Sequence, residues 1–117
     1  MKTILCIDDD RSILELRRSV LESSGYGVLT APTGKDGLKL VSQGAQVDLV
    51  LLDYLMPGMK GDEVAETLKA AFPSLPVIAM SGAQLPERMK KTVDACISKG
   101  QKVEVLLSTI SQKLAAT

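Results

Sequence analysis

The chain contains no histidine and no tryptophan, and its aromatic residues are two tyrosines and one phenylalanine among 117 positions. Without histidine these residues supply no imidazole metal ligand, no imidazole general base and no phosphohistidine. With 3% aromatics, any core must be built from Leu, Ile, Val, Ala and Met. An excess of either charge is lacking too. Fourteen basic residues balance fourteen acidic ones, which gives no basis for binding nucleic acid or an anionic membrane. Cysteine is limited to Cys6 and Cys96, each in an apolar run and neither in a C-x-x-C or zinc-type spacing. Both are expected as buried thiols in a reducing compartment. No apolar run approaches the ~20 residues of a membrane span. The run Ile4-Leu5-Cys6-Ile7 stops at three aspartates, too short for a signal peptide and without a small-residue cleavage site. The expectation is a cytoplasmic protein of about one domain, large enough to bury a core without staples.

What is present alternates short apolar runs with amphipathic segments. Thr3–Ile7 reads as a buried strand. Asp10 or Ser12 can cap the helix that follows, Ser12 with Glu15 as a capping box. Ile13, Leu14, Leu16, Val20 and Leu21 give that helix an apolar face. Arg17 falls inside the face and is expected to snorkel, stem on the core and guanidinium in water. Tyr26–Ala31 reads as a second strand. Thr33-Gly34 opens a second helix with Leu38, Leu40 and Val41, weakened by Gly37. Val47–Leu52 is the most apolar strand, read as central and covered on both faces, and it stops at Asp53. Val64, Ala65, Leu68, Ala71 and Phe72 form a helical stripe beyond the next loop. Leu75–Met80 is a fourth strand, a short helix runs from about Pro86 to Val93, and Ala95–Ser98 is a fifth strand. Val103, Leu106, Leu107, Ile110 and Leu114 mark the last helix. Five strands alternating with five helices predict an α/β fold, a doubly wound parallel sheet with helices on both faces.

Such sheets bind ligands at the carboxyl ends of their strands. Those ends carry Asp8-Asp9-Asp10, Asp53, Ser81 and Lys99. Each alone is an ordinary cap, turn or surface residue; their conjunction at four strand ends is not. Crowded carboxylates repel and raise one another's pKa, and a divalent cation relieves that repulsion. Oxygen donors without nearby His or Cys favour Mg²⁺, with Mn²⁺ possible, over Zn²⁺. The ammonium of Lys99 and the hydroxyl of Ser81 suit the equatorial oxygens of a transferring phosphoryl group. Asp53, between the metal-binding acids and Lys99, is the expected nucleophile.

The chain resembles the receiver domain of bacterial two-component response regulators. The resemblance runs over nearly all of it. It rests on Ile7-Asp8-Asp9-Asp10; on Gly25-Tyr26 with Thr30-Ala31 and Gly34; on Asp53-Tyr54-Leu55-Met56-Pro57-Gly58-Met59-Lys60-Gly61-Asp62-Glu63; on Pro76 to Gly82; and on Ser98-Lys99-Gly100. It implies a flavodoxin-like sheet of order 2-1-3-4-5 and a single receiver domain over 1–117. It implies that Asp53 is the phosphoacceptor, that Asp9 binds Mg²⁺ directly and Asp8 mostly through water, and that the backbone carbonyl of Leu55 is a further ligand. Ser81 takes the hydroxyl position that reports phosphorylation. Lys99 pairs with the phosphoryl group or, without it, with an acid-pocket carboxylate. The implied phosphodonor is a histidine kinase or histidine phosphotransfer protein, the downstream partner is an unknown protein, and the chain is not a turnover enzyme. Asp10 beside the pair is expected as a cap, not a ligand.

Three departures from the family pattern fall on the output side. Gly100 replaces the usual proline after the lysine, so a trans Lys99–Gly100 bond is expected, with glycine's freedom re-aiming the lysine. Cys96 replaces the usual aromatic three residues earlier. Ser81 and Lys99 are eighteen positions apart, about one helical turn below the family norm. The expected function is a stand-alone phosphoaccepting switch of a phosphorelay that changes the surface around helix four and strand five. Two other readings use the same residues: a phosphorylation-independent receiver-fold interaction module, and a Mg²⁺-dependent hydrolase of small phosphate esters. The latter lacks recognisable substrate-pocket residues here.

Overall fold

The computed structural model describes residues 1–116 except 55–57, 59 and 83. Ten elements alternate: β1 Thr3–Ile7, α1 Arg11–Ser23, β2 Gly27–Ala31, α2 Gly34–Ser42, β3 Leu49–Asp53, α3 Gly61–Ala71, β4 Val77–Ser81, α4 Glu87–Thr92, β5 Ala95–Ser98 and α5 Val103–Ala115. The strands form one sheet ordered β2-β1-β3-β4-β5. Every adjacent pair is parallel, as expected from βαβ connections. The pairs Ile7↔Leu52, Asp53↔Met80 and Ser81↔Ser98 bring the carboxyl ends of β1, β3, β4 and β5 to one edge.

The sheet is covered on both faces, so β3 and β4 are buried at every position. Their unbroken apolar runs follow from that. Side chains alternate across a strand, and the core divides accordingly. Leu5, Ile7, Val50 and Leu52 pack with Val41 of α2, Val64 and Leu68 of α3 and Met89 of α4. Ile4, Cys6, Leu49 and Leu51 pack with Leu14 and Leu21 of α1 and Leu106 and Ile110 of α5. Each fully buried aliphatic side chain contributes about 1.5–3 kcal/mol relative to exposure.

Several local expectations are corrected. Of the two caps the sequence allows for α1, the structure takes Asp10, whose Oδ1 accepts from the N–H groups of Ser12 (2.9 Å) and Ile13 (3.3 Å). The buried stripe of α1 is Leu14, Arg17 and Leu21, while Leu16 is 65% exposed. Arg17 therefore does not snorkel; it lies at the centre of the buried stripe. Gly37 within α2 also permits a close approach to the sheet, since a Cβ there would sit 2.8 Å from Ile7 Cγ1 in the core. Only Val64, Ala65 and Leu68 of the α3 stripe are buried with Gly61, whereas Ala71 and the C-cap Phe72 are exposed. Val103 at the start of α5 is exposed too. Cys6 is buried but Cys96 is exposed, and both are free. The Cys96 side faces away from the layer that Ile97 joins, and six-residue α4 leaves it uncovered. No cis peptide bond occurs among the described residues, so Lys99–Gly100 is trans. Gly100 is not among the glycines with positive φ, so left-handed freedom does not aim the lysine.

Candidate functional site

The site forms where the chain leaves the sheet. Asp8 follows β1, and its N–H donates to Ala31 O (3.2 Å), holding it in line with the strand. Its side chain is fully buried. Oδ1 accepts from Asp10 N–H at 3.0 Å, and Oδ2 faces Arg17 Nη1 at 3.2 Å and Lys99 Nζ at 3.5 Å. Asp9 is exposed beside it. Asp53 is the last residue of β3 and is 2% exposed. The chain just after it is pinned: Tyr54 N–H donates to Met80 O (3.1 Å) and Gly61 N–H to Tyr54 O (3.0 Å). Gly61 fits because a Cβ there would lie 2.7–2.9 Å from backbone atoms of Tyr54 and Asp53.

From the far side of the edge, Lys99 extends its ammonium to Asp53 Oδ1 at 2.9 Å. Its own N–H donates to Ser81 O (2.9 Å), which fixes the end of β5 against β4. Ser81 is buried at the end of β4. It borders an open recess of about 340 Å³ shared with Gln84, Leu85, Lys90, Cys96 and Ile97.

Electrostatics follow from this packing. Burial pushes the Asp53 carboxyl above the usual carboxylate range; the hydrogen bond from Lys99 opposes it, and the charge of Asp8 reinforces it. Burial also pushes the Cys6 thiol up to about 12, so that thiol is a core residue and not a nucleophile. Carboxylate oxygens of Asp8, Asp9 and Asp53 lie within 4.8 Å of one another. An oxygen-only set, held together against its own repulsion, fits a hard divalent cation such as Mg²⁺.

The structure thus brings Asp8, Asp9, Asp53 and Lys99 together, with Ser81 on the adjoining strand end. Asp10 is separated from them by its capping role. Leu55, whose carbonyl was expected as a ligand, lies outside the described residues. Two participants were missed. Arg17 reaches Asp8 from α1, and its signal was a cation inside an apolar stripe seven residues beyond the aspartates. Gly61 seats the return of the chain against Asp53, and its signal was a glycine opening a helix without need of a turn.

Comparison with known proteins bears on the family and fold of the chain. A family model described as the response regulator receiver domain matches residues 4–111. A cyclic di-GMP phosphodiesterase of Thermotoga maritima is 34% identical over 116 residues, covering 96% of this chain and 31% of that protein. The sensor histidine kinase RcsC of Salmonella typhimurium is 32% identical over 112 residues, covering 92% of this chain and 12% of that one. The chain therefore spans about a third or less of the length of these relatives. The response regulator protein TrrA of Thermotoga maritima, solved in complex with Mg²⁺–BeF, superposes with a TM-score of 0.91 at 30% identity, covering 97% of this chain and 99% of that one. Among the described residues no helix is long and apolar enough to cross a membrane.

Proposed function

Because the chain belongs to the response regulator receiver domain family, we propose that it is a phosphoryl-accepting switch in which Asp53 takes the phosphoryl group. The observation that carries this reading is the convergence of Asp8, Asp9 and Asp53 at the sheet edge with Lys99 Nζ 2.9 Å from Asp53 Oδ1. In the transfer, an Asp53 carboxylate oxygen forms a P–O bond as the P–N bond of a partner phosphohistidine breaks. The imidazole leaves with the electron pair and is protonated from solvent. The partner is a histidine kinase or a histidine phosphotransfer protein, as membership of the receiver family implies, and the lack of histidine in these residues agrees with a donor elsewhere.

Asp8, Asp9 and Asp53, with the backbone carbonyl of Leu55, would hold Mg²⁺, and Mn²⁺ suits the same donors. A bound divalent ion supplies charge neutralisation for the phosphoryl oxygens. The chain's own groups do the rest. Lys99 releases Asp53 and takes a phosphoryl oxygen. Ser81 gives its hydroxyl to another oxygen. Residues 1–117 act as one receiver domain in the cytoplasm, and the protein assists its own phosphorylation and hydrolysis without being a turnover enzyme. The consequence is a change of surface around α4 and β5.

Incubation with Mg²⁺ and acetyl phosphate, followed by intact mass measurement, tests this. The expected product is one phosphoryl adduct that Asp53→Asn abolishes. An adduct that persists in that variant on another residue overturns the assignment. No adduct in the wild type favours the phosphorylation-independent interaction module, and turnover of a phosphomonoester without an adduct favours the hydrolase.

A further inference from the structure

The acidic pocket holds a cation that the proposed phosphotransfer does not use. Arg17 Nη1 lies 3.2 Å from Asp8 Oδ2, with side-chain exposures of 9% and 0%. Its guanidinium stem lies among Ile13, Val20, Met80, Ile97 and Leu106, in a recess whose rim also carries Ser98, Lys99, Gln101 and Lys102. A charge placed there is weakly screened and felt across the pocket. Asp8 Oδ2 is shared between Arg17 and Lys99. When Lys99 turns to a phosphoryl oxygen, Arg17 keeps Asp8 Oδ2 while the Asp10 N–H keeps Oδ1.

Charge balance shows what this does. Three carboxylates face two cations, leaving one negative charge in excess. A divalent cation alone turns that into one positive charge in excess. A phosphoryl dianion on Asp53 adds one negative charge, and the pocket becomes neutral. Without Arg17, the pocket would be neutral with the divalent cation alone and negative once phosphorylated.

We propose that Arg17 is a positioning residue that fixes Asp8 and sets the pocket's charge, so that Mg²⁺ is held loosely until a phosphoryl group arrives and the phosphorylated state is favoured. This rests on the reading of Asp53 as phosphoacceptor. It predicts opposite effects on the two ligands. Loss of the Arg17 charge frees Asp8 and strengthens cation binding, but weakens capture of the anion. A residue that merely stiffened the site would, when removed, weaken both.

Calorimetric titration of the full chain tests this with Mg²⁺ alone, and then with beryllofluoride at saturating Mg²⁺. In Arg17→Gln, which removes the charge and keeps a polar side chain, the Kd for Mg²⁺ should fall about fivefold or more. This is the order expected when one unit charge several ångströms away is removed. The Kd for beryllofluoride should rise by a similar factor, and Arg17→Lys should stay within about twofold of wild type for both. Arg17→Met serves as a second neutral variant. The proposal is overturned if both ligands weaken, if neither moves, if Arg17→Lys behaves as the neutral variants do, or if both neutral variants fail to fold, which would make Arg17 a structural tie. If the wild type itself binds neither ligand, it is the phosphoacceptor reading that fails.

Discussion

Asp53→Asn should make the protein more stable at neutral pH while removing its proposed chemistry. Asn keeps the shape of the side chain and an oxygen for Lys99, but not the charge. The charge at 2% exposure costs several kcal/mol of desolvation. Lys99 returns part of this through a 2.9 Å charged contact, of order 1.5–3 kcal/mol. Its side chain is 29% exposed, so solvent screens some of that return. The repulsion of Asp8 adds to the cost. Burial is the largest influence on Asp53 and raises its pKa above 3.8, so desolvation wins. The expected gain for the Asn variant is about 1 kcal/mol, or roughly 3–6 °C in Tm for a chain of this size.

The pH dependence gives the sharper check. Between the unfolded value near 3.8 and the higher folded value, the native state binds more protons than the unfolded state. Wild-type stability at this site is therefore full below 3.8 and is lost as pH rises through the folded pKa. The Asn variant has no such loss. Its advantage should be present at pH 7.5 and close as pH falls toward 3.8. Saturating Mg²⁺ should also narrow it by stabilising the wild type. Urea unfolding of both proteins in chelator, at several pH values, reads the difference directly. A variant that is less stable at pH 7.5, or a gap that does not change with pH, would refute the reasoning.

Three further outcomes are expected. Asp9→Ala should weaken Mg²⁺ binding far more than Asp10→Ala, whose effect should be about 1 kcal/mol of stability from the lost cap; equal losses of Mg²⁺ affinity in calorimetry would mean the triplet is misread. Gly61→Ala should lower stability by about 1–3 kcal/mol in urea unfolding, because its Cβ meets backbone of Tyr54 and Asp53, and native-like stability would show that this loop yields. On adding beryllofluoride and Mg²⁺, backbone amide shifts should be largest in the Ser81–Leu85 segment and at the start of α4 and small around Cys96; dominant remote changes at Cys96 and along α5 would contradict this.

The sequence was most informative where strands end. An apolar run that stops at a polar or charged residue marks both the end of a buried strand and what it delivers, so Asp8, Asp9, Asp53, Ser81 and Lys99 are legible as one constellation in the sequence. The order β2-β1-β3-β4-β5 came from family resemblance, since periodicity does not choose between sheet orders. The helix faces were less legible. A 3.6-residue period shows that α1 has an apolar side but not how much of it the sheet covers. The covered strip is narrow, at Leu14, Arg17 and Leu21, which leaves Leu16 in solvent and places a guanidinium in the core. What makes that tolerable is Asp8 beneath it, a contact between positions in different elements that spacing along α1 does not reveal.

The same distinction separates the chemical centre from the surface that would display its state. Each proposed reactive group is the last residue of a strand or follows it by one or two positions, so backbone register fixes it, as in Asp53↔Met80 and Ser81↔Ser98. Cys96 is placed by register too, opposite Ala79, but its environment depends on what covers the outer strand. There α4 has six residues and buries only Met89. The side chain is therefore exposed beside the recess that Ser81 and Lys90 border, and partial desolvation raises its thiol pKa while the charge of Lys90 opposes the rise. Substitutions at Cys96 can reshape this recess without moving a strand end, whereas a change at Gly61 moves the chain around Asp53 itself. A reporting surface built on the edge strand is in this way free to diverge while the acidic centre keeps its geometry.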